Sequence, residues 1–256
     1  MAEFAVTRTV QRVELDANAV LKEAWRLYKR LFTRSLVMGA VVFGVLNILN
    51  EMARSGHAGL LVALVTIVVT IAGTALLQGG LVEIVRGLHV DGDDEATAFD
   101  ALERAGDRLG KLIAVSLLVG FGVAFGIVLL VIPGLVLATR WAVAVPAAML
   151  ESGTARDAMK RSRAIVAGNG WNVFKVLFAV GFLTGFVSLP FTMIGIQEGP
   201  FGWWVAATLG SVLTAPYTAH ALTVMYYALV QPAQPVVLEP GQQWTSIWDE
   251  NDQQGI

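Results

Sequence analysis

Cysteine is missing from this chain, and charged residues are few. The 256 residues contain no cysteine, and only 15% are Asp, Glu, Lys or Arg. The absence of cysteine excludes disulfide bonds, thiolate metal ligands and cysteine nucleophiles. A water-soluble protein usually carries charge on about a quarter of its residues. The shortage of charge, together with 55% hydrophobic residues, therefore indicates that lipid surrounds much of the protein.

Sequence patterns for catalysis and for nucleic-acid binding are also missing. The three histidines, His57, His89 and His220, are far apart, and no H-x-x-x-H spacing places two of them on one helix face. Gly-rich phosphate loops and the Gly-x-Ser-x-Gly nucleophile elbow are absent. A net charge of −2 gives no global basic field for nucleic acid. We therefore expect a protein that is not an enzyme, with no catalytic residue, metal site, cofactor or nucleic-acid partner.

Long apolar runs dominate what is present. Six segments have about the twenty-residue length that a helix needs to cross roughly 30 Å of hydrocarbon. They cover residues 36–52, 59–80 (or on to Leu88), 112–132, 134–150, 173–194 and 203–230. Ile132-Pro133-Gly134 divides one long run into a hairpin, because proline and glycine interrupt a helix. The predicted fold class is all-α, a polytopic six-helix transmembrane bundle.

The basic residues are distributed unevenly between the predicted loops. Arg54 is the only one expected between spans on one side, whereas the other side holds three groups. These are Arg8, Arg12, Lys22, Arg26, Lys29, Arg30 and Arg34; Arg86, Arg104, Arg108 and Lys111; and Arg156, Lys160, Arg161 and Arg163. The positive-inside rule then places both termini in the cytoplasm. We expect a multi-pass protein of the cell membrane, with an N-terminal segment over 1–15, no cleavable signal peptide and a disordered cytoplasmic tail over 231–256.

Three stretches of similar pattern precede the first, third and fifth apolar segments. Each has an acidic residue, an alanine, a large apolar residue and basic residues about one turn later. They are Glu23-Ala24-Trp25-Arg26, Asp100-Ala101-Leu102-Glu103-Arg104 and Asp157-Ala158-Met159-Lys160-Arg161. The i,i+4 spacing predicts ion pairs between Asp100 and Arg104 and between Asp157 and Arg161. The bundle is predicted to consist of three repeats of an amphipathic interfacial helix, near 16–34, 94–110 and 153–167, followed by a transmembrane hairpin.

The first of these stretches shows why it should lie at a membrane surface. On a helical wheel, Leu21, Ala24, Trp25, Tyr28 and Phe32 share one face, and four basic residues share the other. This pattern suits a helix at the headgroups with its cations toward anionic lipid. The alternative is a cytosolic helix packed on its sibling helices, and the two can coexist. The candidate anionic-lipid contacts are Lys22, Arg26, Lys29, Arg30, Arg104, Arg108, Lys160, Arg161 and Arg163.

Several short stretches over residues 15–230 resemble a known family. The main ones are Ile132-Pro133-Gly134-Leu135-Val136-Leu137-Ala138-Thr139-Arg140-Trp141, Pro146, Glu151 and Ala158-Met159-Lys160-Arg161-Ser162, with weaker agreement at 23–30 and from Pro216 to Tyr226-Tyr227. They are similar to the bacterial six-span proteins of the glycerophosphoryl diester phosphodiesterase membrane domain family. The resemblance implies a fold and no activity. The catalytic part associated with that name is a separate soluble α/β barrel, and nothing in this sequence is long or polar enough to form it.

Arg140 is the sharpest candidate for an intramembrane polar site. With Pro133-Gly134 at the outer surface, it would lie roughly 10 Å deep, where an arginine is costly unless it has partners. The expected acceptors are carbonyls freed by Pro146, Pro190 or Pro216. The candidate site comprises Arg140, His220 and Gln78, and Asn47 faces the same interior. Arg140 forms an anion or lipid-phosphate site, links broken helices structurally, or extends outward to the membrane surface.

Two functions are compatible with these features. The first is a non-catalytic integral membrane protein that acts as a scaffold, a lipid-contacting module or a regulator, with the lipid bilayer and its anionic headgroups as partner. The alternative is a small transporter or lipid-handling protein with an intramembrane site around Arg140. Gly122-x-x-x-Gly126 and Gly181-x-x-x-Gly185 allow close helix approach, within the chain or in a homodimer.

Overall fold

The computed structural model describes residues 14–54, 59–88, 97–197 and 199–230. Within these residues all regular secondary structure is helical, and no strand forms. The helices, in chain order, are α1 (Ala17–Arg30), α2 (Phe32–Arg54), α3 (Leu60–Arg86), α4 (Ala98–Gly106), α5 (Leu109–Leu129), α6 (Val131–Arg140), α7 (Ala144–Leu150), α8 (Ala155–Val166), α9 (Gly170–Gln197) and α10 (Gly199–Val230). The predicted tail over 231–256 and the first thirteen residues of the predicted N-terminal segment over 1–15 lie outside the described residues.

Five helical stretches are long and apolar enough to cross a membrane. They are Phe32–Ala53, Leu60–Arg86, Leu109–Leu129, Val131–Leu150 and Gly170–Gly195. The prediction of a multi-pass helical membrane protein therefore agrees with the structure, and these stretches correspond to five of the six predicted segments. The sixth segment, 203–230, lies in α10, which has 32 residues. α10 is long enough but falls outside the five by composition, because Pro216, Tyr217, His220 and several threonines lower its hydropathy.

The long helices pack as antiparallel neighbours. Leu46 of α2 occupies the space that a side chain at Gly73 of α3 would need. One turn farther along α2, Asn50 Nδ2 donates to Thr70 Oγ1 of α3 at 3.4 Å. The α5–α6 and α9–α10 pairs also run in opposite directions along their contacts. α10 further packs against α2, where Trp204 Nε1 donates to the Gly44 carbonyl at 3.1 Å. α10 is thus held on two sides by apolar helices.

The hairpin between α5 and α6 reverses at a different residue from the one predicted. Leu130 is extended, with φ −162° and ψ 135°, and α6 begins at Val131. The division of the apolar run is confirmed, but the predicted turn at Ile132-Pro133-Gly134 is wrong, because these residues form the first turn of α6. Proline fits there since the first-turn N–H groups have no helical acceptor. A Cβ on Gly134 would lie 2.6 Å from the Ile127 backbone nitrogen, so glycine is required for the close approach.

The short helices α4 and α8 begin with the same capping arrangement. The Thr97 hydroxyl accepts from the Asp100 N–H, and the Asp100 carboxylate accepts from Thr97. Thr154 and Asp157 form the same reciprocal pair at the start of α8. This capping box satisfies helix N–H groups that would otherwise lack a partner. The predicted ion pairs of Asp100 with Arg104 and of Asp157 with Arg161 are wrong, because Arg104 pairs with Glu83 and Arg161 with Glu151 while the two Asp carboxylates cap their helices.

The buried core lies where the short helices meet the ends of the long ones. Ala24, Ala101 and Ala158, the alanines of the three similar stretches, are all buried. Around them lie the C-terminal parts of α3 and α10 and the N-terminal parts of α5 and α9. Farther along the long helices, apolar side chains are uncovered, and only 6% of the most apolar window of α9 is buried. Such continuous uncovered apolar surface is typical of contact with lipid.

Candidate functional site

A buried carboxylate joins α3 to α4. Glu83 is only 6% exposed, and its Oε1 accepts from Arg86 at 2.6 Å and from Arg104 at 3.2 Å. A buried carboxylate without such partners would be strongly destabilising. The sequence alone gives no sign that Arg104, twenty-one residues later, pairs with Glu83.

A second carboxylate, Glu151, joins four helices. Its Oε1 accepts from the Tyr226 hydroxyl at 2.6 Å and from Arg161 Nε at 2.9 Å. Its backbone carbonyl accepts from Lys111 Nζ at 2.7 Å. Partial burial opposes the charged form, but the hydrogen bonds from Tyr226 and Arg161 outweigh it and lower the pKa of Glu151. The cluster therefore links the α7–α8 connection to α5 and to the C-terminal end of α10.

The nine predicted anionic-lipid contacts differ in their surroundings. Four contact specific groups of the protein: Arg26 with Glu23, Arg104 with Glu83, Arg161 with Glu151, and Arg108 with the Met149 carbonyl. Lys22, Lys29, Lys160 and Arg163 are exposed residues of α1 and α8, and Arg30 is also exposed but has an interaction partner. The contact of these residues with lipid stays a prediction.

Trp25, Tyr28 and Phe32 form a partly exposed aromatic cluster beside the exposed cations of α1. Trp25 and Tyr28 stack with ring centroids 5.5 Å apart, and Tyr28 meets Phe32 and Tyr217 edge to face. The Tyr28 hydroxyl donates to the Leu213 carbonyl at 3.0 Å, and burial raises the pKa of Tyr28. Trp25 remains 49% exposed and Phe32 39% exposed. α1 is therefore packed on α10 and at the same time presents the uncovered ring of Trp25.

Arg140 lies in a groove between α6, α8 and α9. The groove has a volume of about 840 Å³, within the 300–1,000 Å³ typical of ligand sites. One part is basic and the other is apolar. The basic part is lined by Arg140, Lys160 and Arg163; the apolar part is lined by Ile132, Leu135, Val136, Trp171 and Phe174.

The backbone of α6 is fixed against α8 at the basic part of the groove. The Ser162 hydroxyl, fully buried, donates to the Arg140 carbonyl at 3.0 Å. Thr139 is also buried and directs its hydroxyl to the Leu135 carbonyl at 2.8 Å. The Arg140 side chain is exposed. Its neighbours in the groove are cations of α8, which the sequence assigned to a separate loop.

The other members of the predicted intramembrane site lie elsewhere. His220 is fully buried, and its Nε2 is 3.1 Å from Ser35 Oγ. Gln78 lines a separate cavity of about 230 Å³ between α2, α3, α7 and α10. Asn47 donates to Thr208 at 3.2 Å and so bridges α2 and α10. The groove lining includes Arg140 but neither His220 nor Gln78.

The two glycine motifs have different surroundings. A Cβ on Gly126 would lie 2.8 Å from Gly134 Cα, and one on Gly122 would collide with the Trp141 ring. The first motif therefore serves the α5–α6 contact. Gly181 and Gly185 on α9 have no atom within 4 Å of an added Cβ, so this face is left open by the described residues.

The described residues contain no cluster of three or more His, Asp or Glu side chains that could hold a metal ion. Comparison of the chain with known protein families, with curated proteins and with solved structures finds no match. The resemblance to the glycerophosphoryl diester phosphodiesterase membrane domain family therefore stays a prediction.

Proposed function

We propose that this protein is a non-catalytic multi-pass membrane protein whose basic face contacts anionic lipid headgroups, as a scaffold or regulatory module. The observation that carries this proposal is the surface formed by α1 and the first residue of α2. Trp25 and Phe32 are partly uncovered beside the exposed Lys22 and Lys29. Aromatic and cationic groups side by side are typical of helices at a membrane interface.

We propose six spans, with α10 as the sixth. A helix of 32 residues is about 48 Å long, more than the roughly 30 Å of hydrocarbon. α10 also runs antiparallel to α9, whose apolar surface is uncovered. Six spans and the distribution of cations support cytoplasmic N- and C-termini in the cell membrane.

The three-repeat architecture belongs to the same proposal. α1, α4 and α8 each precede an antiparallel pair of apolar segments, and each buries the alanine of its motif. Matching capping boxes in α4 and α8 add local support. The family resemblance implies six spans, which this arrangement contains.

Reporter fusions test the topology. Fusions at residues 57, 95, 133, 155, 199 and 240 are expected to give cytoplasmic signals at 95, 155 and 240 only. A five-span protein would instead place 240 on the side opposite to 155 and 95, and that result would overturn the sixth span.

Lipid composition tests the headgroup contact. The full-length protein is reconstituted into nanodiscs of phosphatidylcholine, with or without phosphatidylglycerol. We expect phosphatidylglycerol to raise the Tm of the wild type, because each cation near an anionic surface gains about 1 kcal/mol. The Lys22→Gln/Lys29→Gln variant is expected to lose part of this gain. Equal Tm values for the wild type in the two lipids would contradict the proposal.

The alternative function, a small transporter or lipid-handling protein with a site around Arg140, is favoured by the groove between α6, α8 and α9. Arg140→Gln should then abolish a transport or export phenotype at normal protein abundance. A fall in abundance would assign the residue a structural role.

A further inference from the structure

We infer that the groove between α6, α8 and α9 binds one phospholipid with an anionic headgroup. The inference rests on the proposed lipid contact, and it names a defined site and a ligand class for it. The headgroup phosphate lies among Arg140, Lys160 and Arg163, and an acyl chain follows the apolar wall formed by α6 and the start of α9.

The basic part of the groove has the charge that a phosphate requires. Three cations line it, and neither Arg140 nor Arg163 forms an ion pair with a carboxylate among the described residues. The nearby Asp157 carboxylate is engaged by the Thr154 hydroxyl and N–H. Neighbouring cations repel one another, and an anion between them removes that repulsion. Arginine also binds phosphate oxygens through two parallel hydrogen bonds.

The apolar part of the groove is long enough for an acyl chain and extends away from the basic part. Ile132, Leu135 and Val136 are exposed and occupy one side of α6. From Ile132 to Arg140 the helix rises about 12 Å, so the apolar wall is long enough to contact much of one acyl chain. Trp171 and Phe174 stack with centroids 5.5 Å apart and form the opposite side. One helix therefore presents a charged end and an apolar wall in the order found in a phospholipid.

A lipid fits this groove better than a soluble anion does. α6 and α9 belong to stretches that are long and apolar enough to cross a membrane, so their uncovered sides face hydrocarbon. A free phosphate would use the cations and leave the large apolar side chains without a partner. The charge at the basic part also distinguishes phosphatidylglycerol, which is anionic, from zwitterionic phosphatidylcholine.

Native mass spectrometry of the full-length protein tests the site. The protein is released from mixed micelles that contain equal amounts of phosphatidylglycerol and phosphatidylcholine, and retained lipids are counted. The wild type is expected to retain one phosphatidylglycerol. Arg163→Gln and Arg140→Gln are expected to lower its affinity about tenfold or more, because charge-assisted contacts to phosphate are strong. Val136→Trp is expected to do the same by filling the apolar part.

Arg156→Gln is the matched control. Arg156 is exposed on the same helix as Arg163 and seven residues earlier, and it does not line the groove. The two variants remove the same charge from α8, so only the one in the groove should lose the lipid. Each variant must keep the wild-type Tm in neutral detergent. Arg140→Gln leaves the backbone carbonyl that Ser162 binds unchanged.

Other outcomes would distinguish this lipid site from a diffuse headgroup contact, a free-anion site or an intramolecular one. Equal losses for Arg156→Gln and Arg163→Gln would overturn the groove but leave the headgroup contact of the basic face intact. Displacement of the lipid by inorganic phosphate, with no effect of Val136→Trp, would show a free-anion site instead. A full-length protein that retains no phosphatidylglycerol, together with retention of one after deletion of residues 231–256, would show that this acidic segment and not lipid occupies the groove in the intact chain. No preference for phosphatidylglycerol in any variant would overturn the site, whatever the nanodisc Tm values show.

Discussion

Replacing Gly126 with alanine tests the contact that brings α5 and α6 together. A Cβ on Gly126 would stand 2.8 Å from Gly134 Cα and 3.0 Å from Gly134 N. Both are backbone atoms, so no side-chain rotation can relieve the collision, and the two helices must move apart. Gly120, on the same helix, has no atom within 4 Å of an added Cβ and provides the control.

The expected magnitude follows from two opposing effects. Alanine raises helix propensity by about 1 kcal/mol relative to glycine, and both variants receive this gain. Overpacking costs about 1–3 kcal/mol and applies only to Gly126→Ala. The variants should therefore differ by about 1–3 kcal/mol, which corresponds to a Tm difference of roughly 2–12 °C for a chain of this size.

Thermal unfolding of the purified full-length protein in a neutral detergent measures this difference. Gly120→Ala is expected to match or exceed the wild-type Tm, and Gly126→Ala is expected to lie below Gly120→Ala and at or below the wild type. Equal Tm values for the two variants would refute the close α5–α6 approach and the role assigned to Gly134 in the first turn of α6.

Three further predictions use other contacts. The pKa of Glu151 lies below its ordinary value of 4.5. This residue therefore stabilises the fold above pH 4.5, and the stabilisation is lost as the pH falls through the lower pKa of the folded protein. Glu151→Gln should flatten this part of the Tm–pH curve, and an unchanged curve would contradict the prediction. Glu83→Gln should lower the free energy of unfolding by about 1–3 kcal/mol in chemical unfolding. This is less than for a fully buried ion pair, because the partner arginines are partly exposed. Glu103→Gln, on the exposed side of α4, should be neutral. If the open face of α9 forms a homodimer, Gly181→Leu should lower crosslinking between copies in bilayers without lowering the Tm; equal crosslinking would exclude that face.

Apolar runs predicted the long helices well, because length and hydropathy are local properties. The reversal at Leu130 was not predictable in the same way. Proline and glycine at 133 and 134 are compatible both with a turn and with the first turn of a helix. The choice depends on the contact of Gly134 with Ile127, which the sequence does not reveal.

The candidate site was harder to predict because it depends on contacts between distant residues. Arg140 was identified as important from its position in an apolar run, but its neighbours Lys160 and Arg163 follow after another helix and a turn. His220 and Gln78 were grouped with Arg140 because all three are polar residues in apolar segments. The orientation of each helix places them in different surroundings, with Arg140 in the groove, His220 beside Ser35 and Gln78 in a separate cavity. The capping boxes at Thr97 and Thr154 were present as a local signal and would have shown that Asp100 and Asp157 are engaged before any ion pair forms.

The gradient of burial along the long helices has a consequence for how the sequence tolerates change. Near Ala101 and Val173 both size and shape are constrained by surrounding atoms. The exposed side chains around Phe182 and Leu189 are not constrained in this way, so any sufficiently hydrophobic residue should be tolerated there. A saturation mutagenesis map should accordingly show, within each long helix, one part that tolerates few substitutions and another part that tolerates many hydrophobic ones.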